Sequence, residues 1–121
     1  SLDVICTIDQ QGAFVKVNAA SMHLWGYTPD ELVGKQFIDL VHPDDKYKTS
    51  EIDEAIKAGK EVTNFENRYI RKDGSVVPIV WSAHRSPHDQ LIHCVARDAT
   101  ERIKAASEMS LLINNTEEAF I

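Results

Sequence analysis

Apolar residues recur along this chain with two different periods, and each change of period marks an element. Val4, Cys6 and Ile8 alternate on one face, and Phe14, Val15 and Val17 follow after the polar stretch Asp9-Gln10-Gln11-Gly12. Period two predicts strands and the glycine-ended stretch a turn, so the chain opens with a hairpin. Asn18, just before Ala19-Ala20-Ser21-Met22, is placed to accept from the free N–H groups of a helix start, and Gly26 to end that helix. Thr28-Pro29-Asp30-Glu31 predicts a second start: threonine as cap, proline in the first helical position, Glu31 closing a capping box, and Gly34 as the stop. Pro43-Asp44-Asp45 predicts a third, with its carboxylates against the positive end of the helix dipole. That helix reaches about Ala58 and carries Ile52, Ala55 and Ile56 on one narrow face.

Period two then returns. Val62 to Arg71, Ser75 to Arg85 and Leu91 to Ala96 read as strands joined by turns at Lys72-Asp73-Gly74 and Ser86-Pro87-His88-Asp89. From Thr100 the spacing is helical again, with Ile103, Ala106, Ser110 and Ile113 forming a short seam. Two strands, three short helices, three strands and a helix predict an α+β fold, an antiparallel sheet with helices on one side. The opening hairpin must pair with the later strands, because an isolated hairpin is marginal in water.

Length and charge narrow the function classes. The 121 residues fit one domain with one modest core. Thirteen basic against nineteen acidic residues give a net charge of -6, which repels a phosphate backbone, so no nucleic-acid partner is expected. Cys6 and Cys94 each sit in an apolar run and read as buried thiols of a reducing cytosol, with a bridge conceivable only if their strands are neighbours. No apolar stretch approaches the ~20 residues that cross a bilayer, and Ser1 to Asp9 lacks the basic start of a signal peptide. A cytoplasmic domain without direct membrane contact is expected, in a parent chain free to carry an anchor elsewhere.

Catalytic signatures are absent from this reading. Asp44-Asp45 is explained by helix capping and Glu117-Glu118 by solvent exposure, and the five glycines fall at turns and helix ends rather than in a phosphate loop. His84 and His88 straddle a turn containing Pro87, while His93 and Cys94 point to opposite faces of a strand, so no metal site is expected. No catalytic residue is assigned.

With these elements in order, the chain resembles a PAS domain over about residues 1–100. The matching signals are Asp9-Gln10-Gln11-Gly12, Val17-Asn18-Ala19-Ala20, the run from Trp25-Gly26-Tyr27 to Gly34, His42-Pro43-Asp44-Asp45, Arg71-Lys72-Asp73-Gly74, and Arg97-Asp98-Ala99-Thr100-Glu101-Arg102. The resemblance implies a five-stranded antiparallel sheet in the order 2-1-5-4-3, helices cupping one face around a small pocket, and a signalling helix over 101–115. Thr116-Glu117-Glu118-Ala119-Phe120-Ile121 resembles a second copy of Ser1 to Cys6, which implies the start of a second such domain. The function implied is sensory input. The domain binds a small ligand or mediates dimerisation, and relays a signal through its C-terminal helix to an output domain outside this chain. The output the resemblance implies is a histidine kinase of a bacterial two-component phosphorelay or a cyclic-dinucleotide enzyme. The alternative is a ligand-free interaction and dimerisation module in a larger regulator.

Strand alternation puts Phe65 with Tyr69 on one face, Val77 with Ile79 and Trp81, and Ile92 with Cys94. By likeness to flavin-binding members of the family these faces point inward, giving a candidate pocket of Phe65, Tyr69, Ile79, Trp81, Ile92 and Cys94. Either Trp81 and Tyr69 stack a planar cofactor or metabolite, or the same side chains simply fill the core. A cysteinyl-flavin is disfavoured because Gly34 to Val41 has no cysteine, and haem because Asp44 to Ala58 has no histidine. Non-covalent flavin, a small metabolite or no ligand remain. Asp98-Ala99-Thr100 resembles the Asp-Ile-Thr triplet at which PAS domains hand over to a signalling helix, with alanine replacing isoleucine. It makes Asp98, Thr100, Glu101 and Arg102 the relay candidates, Asp98 or Thr100 capping the helix. Finally, Ile5, Val80, Leu91 and Val95 face away from the pocket, where a solvated sheet is polar. A cover is expected there, from flanking helices or the second protomer of a homodimer.

Overall fold

The computed structural model describes residues 2–119, with side chains described through Asn115. Five strands form one antiparallel sheet: β1 (Val4–Ile8), β2 (Phe14–Val17), β3 (Val62–Ile70), β4 (Val76–Arg85) and β5 (Ile92–Asp98), in the order β2-β1-β5-β4-β3. The opening hairpin therefore docks against the last strand, which supplies the partner it needs. Helices α1 (Ala20–Trp25), α2 (Pro29–Leu32) and α3 (Lys46–Lys57) lie between the two groups of strands in sequence, with 3₁₀ turns at Phe37–Leu40 and Pro43–Asp45, and α4 (Thr100–Ala119) follows β5. The α+β architecture is the one the sequence pattern predicts, and the strand order is the one the family resemblance implies.

The core is the inner face of the sheet. Val4, Cys6 and Ile8 of β1, Val77, Ile79 and Trp81 of β4, and Ile92, Cys94 and Ala96 of β5 are all buried, closed over by Leu24, Trp25, Leu32, Leu40 and Ile56 from the helical side. In β3 the ladder shifts between Val62 and Phe65, and Asn64 there has φ 58. The bulge reverses the strand's parity, so Val62 and Phe65 share the inner face although an even number of residues, Thr63 and Asn64, lies between them.

Local signals were legible to different degrees. Around α2 the capping box forms as predicted: the Thr28 side chain accepts from the Glu31 N–H at 3.2 Å, and Glu31 accepts from the Thr28 N–H at 2.9 Å. Asn18 does not cap α1. The capping residue is Ala19, and Asn18 Nδ2 instead donates to the Asp3 carbonyl at 3.1 Å, tying the helix start to the edge of β1. The third predicted helix is split into the Pro43–Asp45 turn and α3. There the His42 ring Nδ1 accepts from the Asp44 N–H at 3.1 Å, so the histidine does the capping. Asp45 is buried and turned to β3 rather than serving the helix dipole. Its carboxylate takes Arg68 side-on, at 2.8 Å to one terminal nitrogen and 3.0 Å to Nε, and also accepts the Arg68 backbone N–H at 2.7 Å. A forked guanidinium pair of this kind fixes geometry as well as charge.

The junction to α4 has its own logic. The register pairs Ile79 with Asp98, so the next pair along the ladder is Pro78 with Ala99. Residues in such a pair ordinarily exchange two bonds. Pro78 has no N–H to give. Its carbonyl accepts the Ala99 N–H at 2.9 Å, while the Ala99 carbonyl turns to the Ile103 N–H at 3.0 Å, the first bond of the helix. α4 runs on to Ala119, and Phe120 and Ile121, within the stretch that resembles the chain's start, lie outside the described residues.

Candidate functional site

A cavity of about 50 Å³ lies between the inner sheet face and α3. The sheet lines it with Ile8, Val62, Phe65, Asn67, Tyr69, Trp81, Ala83, Ile92 and Cys94, and the helical side with Phe37, Thr49, Ile52, Asp53 and Ile56. Five of the six candidate pocket residues, Phe65, Tyr69, Trp81, Ile92 and Cys94, are in this lining. Ile79 is not: it is fully buried in the packed core. A void of about 10–15 Å³ holds a water, and an apolar cavity that takes up benzene measures about 150 Å³. The resting cavity therefore has room for waters or a fragment of a few atoms, and is too small for a three-ring flavin.

The walls are apolar except for one polar chain. The Trp81 Nε1–H donates to Asn67 Oδ1 at 2.7 Å, Asn67 Nδ2 donates to Thr49 Oγ1 at 3.1 Å, and the Thr49 hydroxyl donates to the Asp45 carbonyl at 2.7 Å. All four residues are buried. The bonds run in one direction from β4 through β3 into α3, so each polarises the next. The end of the chain is Asp45, whose carboxylate holds Arg68. The Arg68 hydrogen bond keeps the Asp45 carboxyl below its ordinary value despite burial, so the pair stays charged at neutral pH. Asp53, at the cavity rim, pairs with Lys57 at 3.0 Å.

The other end of the inner face is closed. Trp25 packs on Tyr69 with ring centroids 4.8 Å apart, on Trp81 at 5.9 Å and on Phe14 at 6.0 Å, in tilted arrangements. Trp25 Nε1 and the Tyr69 hydroxyl are buried without a hydrogen-bond partner among the described residues. Burial, and then the neighbouring Cys6 and Cys94 thiols, push the Tyr69 phenol well above its ordinary value, so it stays neutral.

Asn67, Thr49, Phe37 and Asp53 were not singled out from the sequence. Asn67 had a readable signal, since it lies between Phe65 and Tyr69 on the inward parity, where an uncharged polar residue implies a buried partner. Thr49 had none, because a threonine inside an amphipathic helix reads as an indifferent helix former.

The relay candidates divide. Asp98 Oδ1 accepts the Thr100 N–H at 2.8 Å, an Asx turn spanning two residues rather than a capping box reaching Glu101. Arg102 forms an ion pair with Glu66 of β3, tying the first turn of α4 to the sheet, while Glu101 is exposed. On the outer face Ile5 is 59% and Val95 39% exposed, whereas Val80 and Leu91 are half-buried. His84 and His93 stack across β4 and β5 at 5.5 Å, and His93 meets Asp89 at 3.1 Å. No group of three metal-ligating side chains converges among the described residues.

Residues 14–102 match the family model described as the PAS fold. The chain belongs to the PAS fold family. Among solved structures, this PAS domain is similar to a domain of a sensory box sensor histidine kinase/response regulator from Geobacter sulfurreducens. That match is 28% identical with a TM-score of 0.70, covering 79% of this chain and 82% of the other. It is likewise similar to the PAS domain of a Colwellia psychrerythraea protein, at 27% identity and a TM-score of 0.71, covering 82% and 87%. Over 69 residues it is 36% identical to the White collar 2 protein of Neurospora crassa. That match takes in 56% of this chain and 13% of the relative, so the PAS domain spans about an eighth of that protein's length. Among the described residues no helix is long and apolar enough to cross a membrane.

Proposed function

We propose that this PAS domain is a ligand-gated input module, and that the occupant of the cavity beside Trp81 sets the position of α4. The observation that carries this reading is the chain Trp81–Asn67–Thr49–Asp45. It places a primary amide, a hydroxyl and an indole N–H in the wall of an otherwise apolar hollow, which is how small-molecule sites combine binding with orientation. A ligand accepting from Asn67 competes with its bond to Thr49, so binding pulls on α3 and β3 together. Trp81 pairs with Ala96 of β5, two residues before Asp98, and Asp98 holds the start of α4. A displacement at the cavity therefore has a short path to the helix, and Asp98, Thr100 and Arg102 are the residues that pass it on. The similarity to the Geobacter sensor histidine kinase domain supports a kinase as the output in the parent chain.

Exposure of Ile5 and Val95 on the outer face favours a second, compatible role, homodimerisation through that face, which would fix the register of two α4 helices. Small molecules released from the purified domain by denaturation, identified by mass spectrometry, test the sensor reading. Amide shift mapping with the released compound should then show saturable changes at Asn67 and the Trp81 indole. A domain that releases nothing and shows no saturable shift with a library of small polar fragments, yet sediments as a dimer, would leave only the interaction module.

A further inference from the structure

A separate feature of the inner face has chemistry of its own. Cys6 of β1 and Cys94 of β5 are direct register partners, both on the inner side, and both are free thiols. Cross-strand partners have Cα atoms about 4.5–5.5 Å apart, inside the about 4.4–6.8 Å that a disulfide spans. The surroundings of the two thiols differ in one respect: Cys94 lines the cavity beside Trp81, whereas Cys6 is absent from that lining. The sequence suggested two buried thiols with a bridge conceivable only if their strands were neighbours, and the register makes them neighbours.

The geometry points to Cys6 and Cys94 as a redox-active dithiol that a hydroperoxide oxidises to an intrachain disulfide across β1 and β5. Cys94, reached through the cavity, attacks the distal peroxide oxygen; the O–O bond breaks, the alcohol or water leaves with one proton, and Cys94 becomes a sulfenic acid. The Cys6 sulfur then attacks the Cys94 sulfur, the S–O bond breaks, and the hydroxyl leaves as water with the Cys6 proton. Two thiols and one hydroperoxide thus give one disulfide, one alcohol and one water, with two electrons passing from sulfur to the peroxide. The hydrogen bond to Cys94, and then burial, hold the Cys6 thiol well above its ordinary pKa, which suits Cys6 to the resolving rather than the attacking role.

The location gives the bridge a consequence. The start of β1 and the end of β5 are joined by the Asp3–Arg97 pair at 3.0 Å, and α4 begins directly after β5. A covalent link between Cys6 and Cys94 fixes the strand that launches α4 to the strand at the chain's start, and closes the sheet wall of the cavity.

The test treats the whole chain with hydrogen peroxide and maps its peptides without reduction. Met22 and Met109 are 55% and 58% exposed and serve as an internal record of oxidant dose. The expected result is a Cys6–Cys94 linked peptide, with free thiols falling from two per chain to none and returning on reduction. In Cys6→Ala the sulfenic acid should persist on Cys94 and be captured by a cyclic 1,3-dione. Two free thiols recovered on unfolding after both methionines are fully converted to sulfoxide would overturn the proposal, as would bridges found only between chains.

Discussion

The two ends of the sheet's inner face are built from similar residues and behave as different materials. Around Trp25, rings of Phe14, Tyr69 and Trp81 close on one another, and Trp25 and Tyr69 are fully buried. Even their polar atoms, the Trp25 Nε1 and the Tyr69 hydroxyl, are left without partners among the described residues. Around Asn67 the polar atoms are joined in a chain, and the side chains stop short of filling the space. One end therefore gains its stability from packing and tolerates unmet hydrogen-bonding groups. The other gives up packing and keeps its hydrogen bonds satisfied. The lesson is that aromatic residues at alternating strand positions do not by themselves mark a binding site; the cavity lies where a polar side chain interrupts them and α3 rather than α1 forms the lid.

The contrast is open to attack at three points. Trp25→Ala should cost the most, about 3–5 kcal/mol, because it empties a site with no slack. Ile52→Ala at the half-buried cavity wall should cost less, at or below the roughly 2 kcal/mol lower end for a fully buried isoleucine. Urea denaturation of the two variants gives the comparison directly, and equal losses would erase the distinction between the ends. Next in size, Asn67→Ala strands the Trp81 indole N–H and removes the donor to Thr49, for an expected loss of about 1–3 kcal/mol. The Trp81 indole proton resonance should shift with it, and an unmoved resonance would break the hydrogen-bonded description of the open end.

The smallest effect is electrostatic and appears in acid. Asp45 is held below its ordinary pKa of 3.8 by the Arg68 hydrogen bond, and Glu31 is lowered from 4.5 to about 2, first by Lys72 and then by the Thr28 N–H. Carboxylates with depressed folded pKa values contribute stability that is complete above their unfolded values and lost as pH falls through the folded ones. The urea midpoint should therefore hold down to about pH 4.5 and decline towards pH 2. Asp45→Asn should make that decline shallower, while an acid response identical to the parent's would remove Asp45 from the account.

Much of this was legible because the governing interactions are local. The Thr28 to Glu31 box is complete within four residues, and strand alternation in β4 and β5 grouped Val77, Ile79 and Trp81, and Ile92 and Cys94, each on one face, while the family resemblance turned those faces inward. The failures share a cause. Asn18 and Asp45 were assigned to the nearest free helix N–H groups, yet each serves a distant partner, the Asp3 carbonyl and the Arg68 guanidinium. A short polar side chain can satisfy a local or a remote group equally well, and only the folded geometry chooses. Ile79 fell outside the cavity because parity gives a residue's face and not whether its side chain meets the hollow or the packed core: its register partner Asn67 lines the cavity and Ile79 does not. The opposition of Cys6 and Cys94 followed from neither strand alone: it needs the register of β1 on β5, set by the whole sheet.

Pro78 decides more than the length of a ladder. Because it withholds one proton from Ala99, the sheet ends at a fixed residue and the first helical bond is made from that same carbonyl. A helix advances about 100° with each residue. A boundary displaced by one position would thus rotate whatever face α4 offers by more than a quarter turn, carrying Ile103, Met109 and Ile113 with it. The imino acid acts as a phase mark: it sets the angle at which α4 leaves the sheet.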